Sequence, residues 1–202
     1  MTQNLDRISI KRKTGTERFH ANGQEFDFDL LSFWQWVDSD LVNNALRGEL
    51  AEYIVARALH LDTSQPREGW AAYDLETPSG IKIEVKSAAY LQSWHQNRMS
   101  DIMFKVPKTR YWDAATNRQA KEKQRQADVY VFALLAHQDK QTIDPLNIDQ
   151  WVFYVLPTAV LNERKRSQYG ITLKSLVELC GRSLTFSQLQ AAVETAAGQP
   201  IE

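Results

Sequence analysis

The sequence predicts a mixed α/β domain in which helices flank a central sheet. A long segment with helical spacing follows residue 38, an alternating hairpin comes after it, and two apolar strand segments follow the hairpin. Two short helical segments then end the chain. Interspersed helices and strands of this kind are typical of domains that cover a sheet with helices.

Length and composition are those of one globular domain. The chain has 202 residues, of which 43% are hydrophobic and 24% charged, and its formal net charge is -1. We expect a single domain over 1–202, with an N-terminal extension at 1–37, a core at 38–160 and C-terminal helices at 161–202. Because the net charge is close to zero, a charged partner must be met by a local patch.

The cysteine content and the N-terminus predict a cytoplasmic protein that does not enter membranes. Cys180 is the single cysteine and lies in an apolar run, so we expect it to pack in the core of a reduced protein. The first residues lack the apolar block of a signal peptide, and no apolar stretch is long enough to span a bilayer.

The N-terminal third predicts short strands followed by one long helix. Strands are expected in 6–13 and 17–30, around the turn-forming Thr14-Gly15-Thr16 and Asn22-Gly23. Asp38, Ser39 and Asp40 are candidate N-caps for a helix that runs to about residue 60. Apolar residues recur at helical spacing along it, at Leu46, Leu50, Ile54, Ala58 and Leu61.

The second half predicts two strands and two helices after an irregular segment. Residues 93–126 are polar and basic, whereas 127–136 and 150–160 carry the β-branched and aromatic residues that strands favour. Short helices are expected at 172–180 and 185–197, the second with a possible capping box formed by Thr185 and Gln188. We expect the tryptophans Trp34, Trp36, Trp94 and Trp151 in the core or in an interface.

The hairpin at 70–86 has one favoured register. A loop of Pro78, Ser79 and Gly80 suits a type I turn followed by a left-handed residue, which Gly80 adopts without strain. A loop one residue shorter or longer would mix apolar and polar faces. The favoured register has the apolar pairs Leu75–Ile83 and Tyr73–Val85 on one face, and the polar pairs Glu76–Lys82 and Asp74–Glu84 on the other.

This register predicts a metal site on the polar face. Directly opposed carboxylates, as at Asp74 and Glu84, destabilise a strand pair unless a positive charge compensates them. A divalent cation would do so, and hard oxygen ligands suit Mg²⁺ or Mn²⁺. The alternative is a solvated strand face on which Lys82 and Lys86 balance the acids.

The preceding helix offers a third carboxylate. Glu49 and Glu52 lie three residues apart and therefore share one flank of the helix. Either could reach the hairpin. We favour Glu52, because apolar neighbours draw its flank toward the core; these are Ala51, Val55, Ala56 and Leu59.

These residues, in this order, resemble the signature of the PD-(D/E)XK nuclease superfamily. That signature is an acidic residue on a helix, an Asp at a hairpin and (D/E)-x-K on the next strand, matched here by Glu52 (or Glu49), Asp74 and Glu84-Val85-Lys86. The resemblance covers about residues 45–136. Tyr73 stands where the family has a proline. The resemblance implies a restriction-endonuclease-like fold, with a mixed central sheet flanked by helices.

The same resemblance implies an Mg²⁺-dependent endonuclease that hydrolyses phosphodiester bonds of nucleic acid, with DNA as the expected substrate. Its expected setting is restriction, repair or mobile-element defence. Asp74, Glu84 and the Val85 carbonyl would hold Mg²⁺, with Mn²⁺ as a substitute, and Glu52 would complete the site or hold a second ion. Lys86 would orient the attacking water or stabilise charge on the phosphate. A homodimer is implied by the resemblance alone. The alternatives are a non-catalytic binding module on the same fold and an interaction protein with an accidental likeness.

A basic segment at 105–125 is the candidate nucleic-acid surface. It holds seven basic residues against two acidic ones, and Tyr111 and Trp112 interrupt the run. Basic charge with interleaved aromatic rings suits phosphate contact and base stacking, although charge runs are often solvated faces. Gln92, after the hairpin, could contact substrate or water, but we favour an ordinary surface glutamine. The basic residues are Lys105, Lys108, Arg110, Arg118, Lys121, Lys123 and Arg125.

Overall fold

The computed structural model describes residues 5–113 and 116–198 and has a mixed α/β architecture. The strands are β1 (Arg18–Ala21), β2 (Gln24–Asp29), β3 (Leu75–Glu76), β4 (Lys82–Ala89), β5 (Met103–Lys105), β6 (Trp112–Asp113), β7 (Arg118–Gln119), β8 (Val129–Leu135), β9 (Trp151–Pro157) and β10 (Gly170–Thr172). The helices are α1 (Leu30–Val37), α2 (Asn44–Ala58), α3 (Thr158–Glu163), α4 (Leu173–Cys180) and α5 (Leu189–Ala196). Short 3₁₀ turns lie at Ile148–Gln150 and Phe186–Gln188.

The central sheet has four strands in the order β3-β4-β8-β9. β4 and β8 run parallel, whereas the β3–β4 and β8–β9 pairs are antiparallel, so the sheet is mixed. The β4–β8 register places Glu84 beside Tyr130 and Lys86 beside Phe132. β5 and β10 pair with each other outside this sheet.

Hydrophobic cores cover both faces of the sheet. Alternate residues of β8 point to opposite faces, and every residue of the strand is buried. Val129, Val131 and Ala133 join the core that contains α2 and α5. Tyr130 and Phe132 join the other core, which includes Phe104 of β5 and residues of α4. The predicted strand at 127–136 is confirmed.

The N-terminal part forms a hairpin and a helix. Asn22 and Gly23 both have positive φ (50° and 77°), which makes the tight turn between β1 and β2. The Asp29 side chain accepts a hydrogen bond from the Ser32 backbone N–H and so caps α1. Strands in 17–30 are therefore confirmed. The strand expected at 6–13 is wrong, because those residues adopt no regular secondary structure.

The long helix begins later than its candidate caps predicted. α2 begins at Asn44, and the Asn43 side chain accepts from the Ala45 N–H as its N-cap. Asp40 instead accepts from the Val42 and Asn43 backbone N–H groups, at 3.2 and 3.1 Å, and holds the turn before the helix. The helix ends at Ala58, which leaves Leu61 beyond it.

The C-terminal half differs from the prediction at three places. β9 ends at Pro157, and α3 occupies the last residues of the predicted strand. The segment expected to be irregular contains β5, β6 and β7. β10 arises because residues 170–172 pair with β5, a contact that local sequence does not reveal. Both C-terminal helices are confirmed, and so is the Thr185–Gln188 capping box.

The tryptophans divide between core and surface. Trp151 is buried, as predicted. Trp36 is 82% exposed and Trp94 52% exposed, so neither belongs to the core.

Cys180 is partly buried, and this burial raises the pKa of its thiol to about 12. Within 5–113 and 116–198, no helix combines the length and apolar character needed to cross a bilayer.

Candidate active site

The hairpin loop has the geometry that its sequence predicts. Gly80 adopts a φ of +86°, and its N–H donates to the Thr77 carbonyl at 2.8 Å. The Thr77 N–H donates to the Ile81 carbonyl at 3.0 Å. The next pairs outward are Glu76–Lys82 and Leu75–Ile83. The predicted register is confirmed over these pairs.

Beyond Leu75 the ladder ends, because the Asp74 side chain takes the next position. The Asp74 carboxylate accepts a hydrogen bond from the Val85 backbone N–H at 2.7 Å, and the Asp74 N–H donates to the Ile83 carbonyl at 3.0 Å. Tyr73 therefore does not pair with Val85, nor Asp74 with Glu84, and these two outer pairs of the predicted register are wrong. Tyr73 packs instead against the core that contains Tyr130 and Phe132.

Three carboxylates from two elements and a loop lie close enough to influence one another. Burial raises the pKa of Glu84, and the charges of Asp74 and Glu52 raise it further, while Lys86 lowers it. Burial likewise raises the pKa of Glu52, where the hydrogen bond from Arg67 opposes it and the charge of Asp74 adds to it. The structure thus gathers Glu52, Asp74 and Glu84 at the β3 edge of the sheet.

Each of these carboxylates already has a partner. Glu84 forms an ion pair with Lys86 at 2.5 Å, and Asp74 accepts from Val85. Arg67 binds Glu52 with two groups, its Nε and its Nη2, the latter 2.9 Å from Oε1. Among the residues that the structure describes, no group of three or more acidic, histidine or cysteine side chains is arranged so that it could hold a metal ion.

The two glutamates of α2 occupy different environments. The Glu52 side chain is only 12% exposed and interacts with Asp74 and Lys86. Glu49 is exposed, and its charge contributes to the raised pKa of Arg67. The apolar flank that favoured Glu52 in the sequence is therefore the flank that faces the hairpin.

Arg67 and Tyr130 complete the site, and sequence reasoning missed both. Arg67 comes from the irregular segment between α2 and β3, and no spacing connects it to Glu52. Tyr130 is buried beside Glu84 in the β4–β8 register, and burial and the Glu84 charge raise the pKa of its hydroxyl. The alternation of β8 could have indicated Tyr130, but only once the register with β4 was known.

A buried arginine anchors α2 to the strand that carries Glu84 and Lys86. Arg47 is 3% exposed and donates to Ser87 Oγ at 3.3 Å, one residue after Lys86. It also donates to the Val42 carbonyl and to Asn44 Oδ1, at 2.9 and 2.8 Å. Burial lowers the pKa of this guanidinium. These contacts hold the helix of Glu52 in place against β4.

Two cavities flank the carboxylates. The first, of about 650 Å³, opens on the side of Glu52, Arg67 and Asp74. The second, of about 240 Å³, lies beside Glu84 and Lys86. We name the second one the β4 cavity. It is lined by Ala72, Glu84, Lys86, Lys105, Val106, Pro107, Thr109, Arg125, Gln126 and Tyr130.

The basic segment is exposed over most of its cations but not at its end. Arg125 is 8% exposed and donates to the Val106 and Gln168 carbonyls, at 2.7 and 2.9 Å. It ties the segment to the protein and does not form part of the exposed surface, contrary to the prediction for it. Lys105 lines the β4 cavity. The exposed cations are Lys105, Lys108, Arg110, Arg118, Lys121 and Lys123.

Gln92 is not the surface residue that the sequence predicted. It is buried, and its side-chain amide donates to the Ala89 carbonyl at 3.3 Å and to Ser100 Oγ at 3.2 Å. These contacts hold the chain together where it leaves β4, so Gln92 has a structural position behind the site.

One comparison with known proteins gives a match that covers most of the chain. A family model described as bacteriophage T4 endonuclease IV matches residues 2–175. The matched span contains the three carboxylates, Lys86 and the basic segment. No curated protein matches the chain.

Proposed function

The chain belongs to the bacteriophage T4 endonuclease IV family, and on that premise we propose that it is a metal-dependent endonuclease of the PD-(D/E)XK type that hydrolyses phosphodiester bonds of DNA. The observation that carries this proposal is the cluster of Glu52, Asp74 and Glu84 beside Lys86. The restriction-endonuclease-like fold and a setting in restriction, repair or mobile-element defence are part of the proposal.

The chemistry of the donors fits a divalent cation. Burial raises the pKa of Glu52 and of Glu84, the charge of Asp74 raises both further, and a bound cation would relieve this repulsion. Asp74, Glu84 and the Val85 carbonyl would hold Mg²⁺ or Mn²⁺, with Glu52 completing the site. When bound, the ion would polarise the phosphate and lower the pKa of a coordinated water.

The backbone of β4 supports a role for the Val85 carbonyl. In an antiparallel ladder, a strand residue directs its N–H and its C=O to the same side. The Val85 N–H faces Asp74, so its carbonyl also faces the edge where β3 has already ended. That carbonyl therefore points toward the carboxylates instead of into a completed ladder.

Lys86 and Arg67 supply the positive charge on the chain itself. Lys86 pairs with Glu84. Once Glu84 has another positive partner, the ammonium group of Lys86 can donate to an oxygen of the attacked phosphate and stabilise the charge that develops there. Arg67 fixes the orientation of Glu52 through its two contacts.

The exposed part of the basic segment supports binding of the DNA backbone. Lys105 connects it to the site through the β4 cavity, and Lys121 and Lys123 extend it. The exposed rings of Trp70 and Trp112 meet edge to face, with centroids 5.4 Å apart, and offer an aromatic surface near these cations. Such a surface would bind phosphates and stack on bases without reading sequence.

A non-catalytic module that binds nucleic acid or protein is the second candidate. One observation favours it: every carboxylate of the cluster is already bonded within the chain. In that case the ion pairs would only stabilise the fold, and no cation would be required.

Incubation with plasmid, linear duplex, single-stranded DNA and RNA separates these candidates. We expect cleavage of DNA with Mg²⁺ or Mn²⁺, no cleavage with EDTA, and none by the Glu84→Ala variant with either metal. Binding without cleavage of any of these substrates, in either metal, would establish the binding module instead.

A further inference from the structure

One residue that lines the β4 cavity has a buried side-chain atom without a hydrogen-bond partner among the described residues. Gln126 lines it, and the Gln126 side-chain Nε2 is buried with no hydrogen-bond partner among the described residues. Its Oε1, in contrast, accepts from Gln124 Nε2 at 3.1 Å. A buried donor without an acceptor is costly, so its presence beside a cavity indicates a ligand that supplies the acceptor.

We propose that the β4 cavity binds one unstacked nucleobase of the substrate, at a nucleotide that adjoins the cleaved phosphate, and that Gln126 Nε2 donates to an acceptor atom on its edge. This inference rests on the proposed function, because it identifies which part of a nucleic acid enters this cavity. Ring nitrogens and carbonyl oxygens of the bases are acceptors of the required kind.

The size of the cavity suits a base. Its volume of about 240 Å³ is several times the roughly 30 Å³ that one water occupies, so a single ordered water would not fill it. It is also smaller than the roughly 300–1,000 Å³ of sites for whole drug-sized ligands. A single ring system lies between these limits.

The lining of the cavity suits a base better than an anion. Ala72, Val106 and Pro107 give it apolar walls against which a ring can pack. Two of its cations are already engaged, because Arg125 donates to backbone carbonyls and Lys86 pairs with Glu84. The third, Lys105, is exposed, whereas the buried side-chain group of the lining that lacks a partner among the described residues is a neutral amide donor, which matches a neutral acceptor.

The position of the cavity fixes which nucleotide would enter. Glu84 and Lys86 form part of its lining, so a base inside it lies next to the groups proposed to act on the phosphate. Lys105 lines the cavity and is exposed, and it is therefore available to a flanking phosphate. A base can reach the cavity only after it has left its stack, as in single strands or in locally opened duplexes.

Binding of abasic oligonucleotides tests the inference without relying on catalysis. The cleaved position of one DNA oligonucleotide is first mapped with Mg²⁺. Affinities are then measured in EDTA by fluorescence anisotropy, for that oligonucleotide and for versions that lack the base on either side of the cleaved bond. We expect one of these two deletions to weaken binding to the wild-type protein on the order of tenfold.

Variants connect this loss to the cavity. Gln126→Ala should weaken binding of the intact oligonucleotide by a similar factor and should bind the abasic version no more weakly than the wild type does. Ala72→Leu, which fills the cavity from another side, should have the same effect and serves if Gln126→Ala does not fold. Gln141→Ala is the matched control, because Gln141 is an exposed glutamine outside both the cavity lining and the basic segment.

Two outcomes overturn this inference and leave the proposed function intact. One is that DNA is bound and cleaved but neither abasic position changes the affinity. The other is that base deletion weakens binding equally in the wild type, Gln126→Ala and Ala72→Leu. Absence of both binding and cleavage with every nucleic acid would instead remove the proposed function itself.

Discussion

At the scale of single residues, the two lysines of β4 have different partners. Lys86 forms an ion pair with Glu84, whereas the Nζ of Lys82 lies 5.5 Å from the centroid of the Tyr73 ring. The register places Lys82 opposite Glu76, but the Glu76 carboxylate accepts instead from the Tyr73 hydroxyl. Lys82 thus makes a cation–π contact, whereas Lys86 makes an ion pair.

This difference predicts unequal effects on the rate. Lys86→Ala should lower the single-turnover cleavage rate by a factor on the order of a hundred, the scale for loss of one group that stabilises developing charge. Substrate affinity should change little. Lys82→Ala is the control and should cleave at close to the wild-type rate. Equal losses from the two substitutions would show that the lysines only balance charge on the strand.

The raised pKa of Glu84 predicts that the stability of the metal-free protein depends on pH. Because its pKa is raised in the folded state, the folded protein binds more protons than the unfolded chain between the ordinary pKa of 4.5 and the folded value. Stability due to this group therefore falls as the pH rises through that window. Glu84→Gln should thus gain stability relative to the wild type as the pH rises from 4 to 8.

Urea denaturation in EDTA at several pH values measures this difference. Glu49→Gln is the control, because Glu49 is an exposed glutamate of α2. A stability difference between Glu84→Gln and the wild type that is flat or declines with pH would contradict the prediction.

At the scale of elements, helix α2 and the hairpin show how much of the site can be predicted from the sequence. Alternation and loop length predicted the inner pairs of the hairpin, and the apolar flank of α2 predicted which glutamate faces it. The end of the ladder at Leu75 was not predictable, because it depends on a side-chain bond from Asp74 to the Val85 N–H. Arg67 was missed for a similar reason, since an irregular segment carries no periodicity that places its side chains.

The orientation of α2 predicts that Glu52 matters more for cleavage than Glu49. Glu52→Ala removes the carboxylate that lies beside Asp74 and also releases Arg67, so we expect a loss of rate of at least tenfold. Glu49→Ala should remain within about twofold of the wild type. Both are compared on one DNA substrate at saturating Mg²⁺. Wild-type activity of Glu52→Ala would exclude it from the site.

The basic segment predicts two separable effects. Arg125→Ala should lower the free energy of unfolding by about 2–4 kcal/mol, because it removes a buried cation that bonds to several acceptors. Replacing the exposed Lys121 and Lys123 by Ala should leave stability within about 0.5 kcal/mol and should weaken DNA binding with a flatter salt dependence.

Urea denaturation and salt titrations of DNA affinity measure the two effects. If the Lys121 and Lys123 double variant keeps the wild-type salt slope, this part of the segment is only a solvated face. If Arg125→Ala is as stable as the wild type, its buried contacts contribute little to the fold.

At the scale of the whole molecule, the chain places an acidic edge between two cavities and beside exposed cations. The order of elements predicted the mixed sheet, because the hairpin and the two apolar strands supply its four members. The β4 cavity was not predictable, since it forms where 105–109, 125–126 and β4 meet. The homodimer that the family resemblance implies stays a prediction, to be checked by sedimentation velocity.

A metal titration tests the site through the thermal stability of the whole domain. A cation that binds the folded state alone stabilises it by RT ln(1 + [Mg²⁺]/Kd), about 2.7 kcal/mol at a hundredfold excess over Kd. For a domain of this size, that is a rise in Tm on the order of 5–10 °C. We expect this rise in the wild type at pH 7.5. Glu84→Ala should show none of it, whereas Glu49→Ala should retain it. An equal rise in Glu84→Ala would place the ion elsewhere, and the acidic edge would then be a set of structural ion pairs.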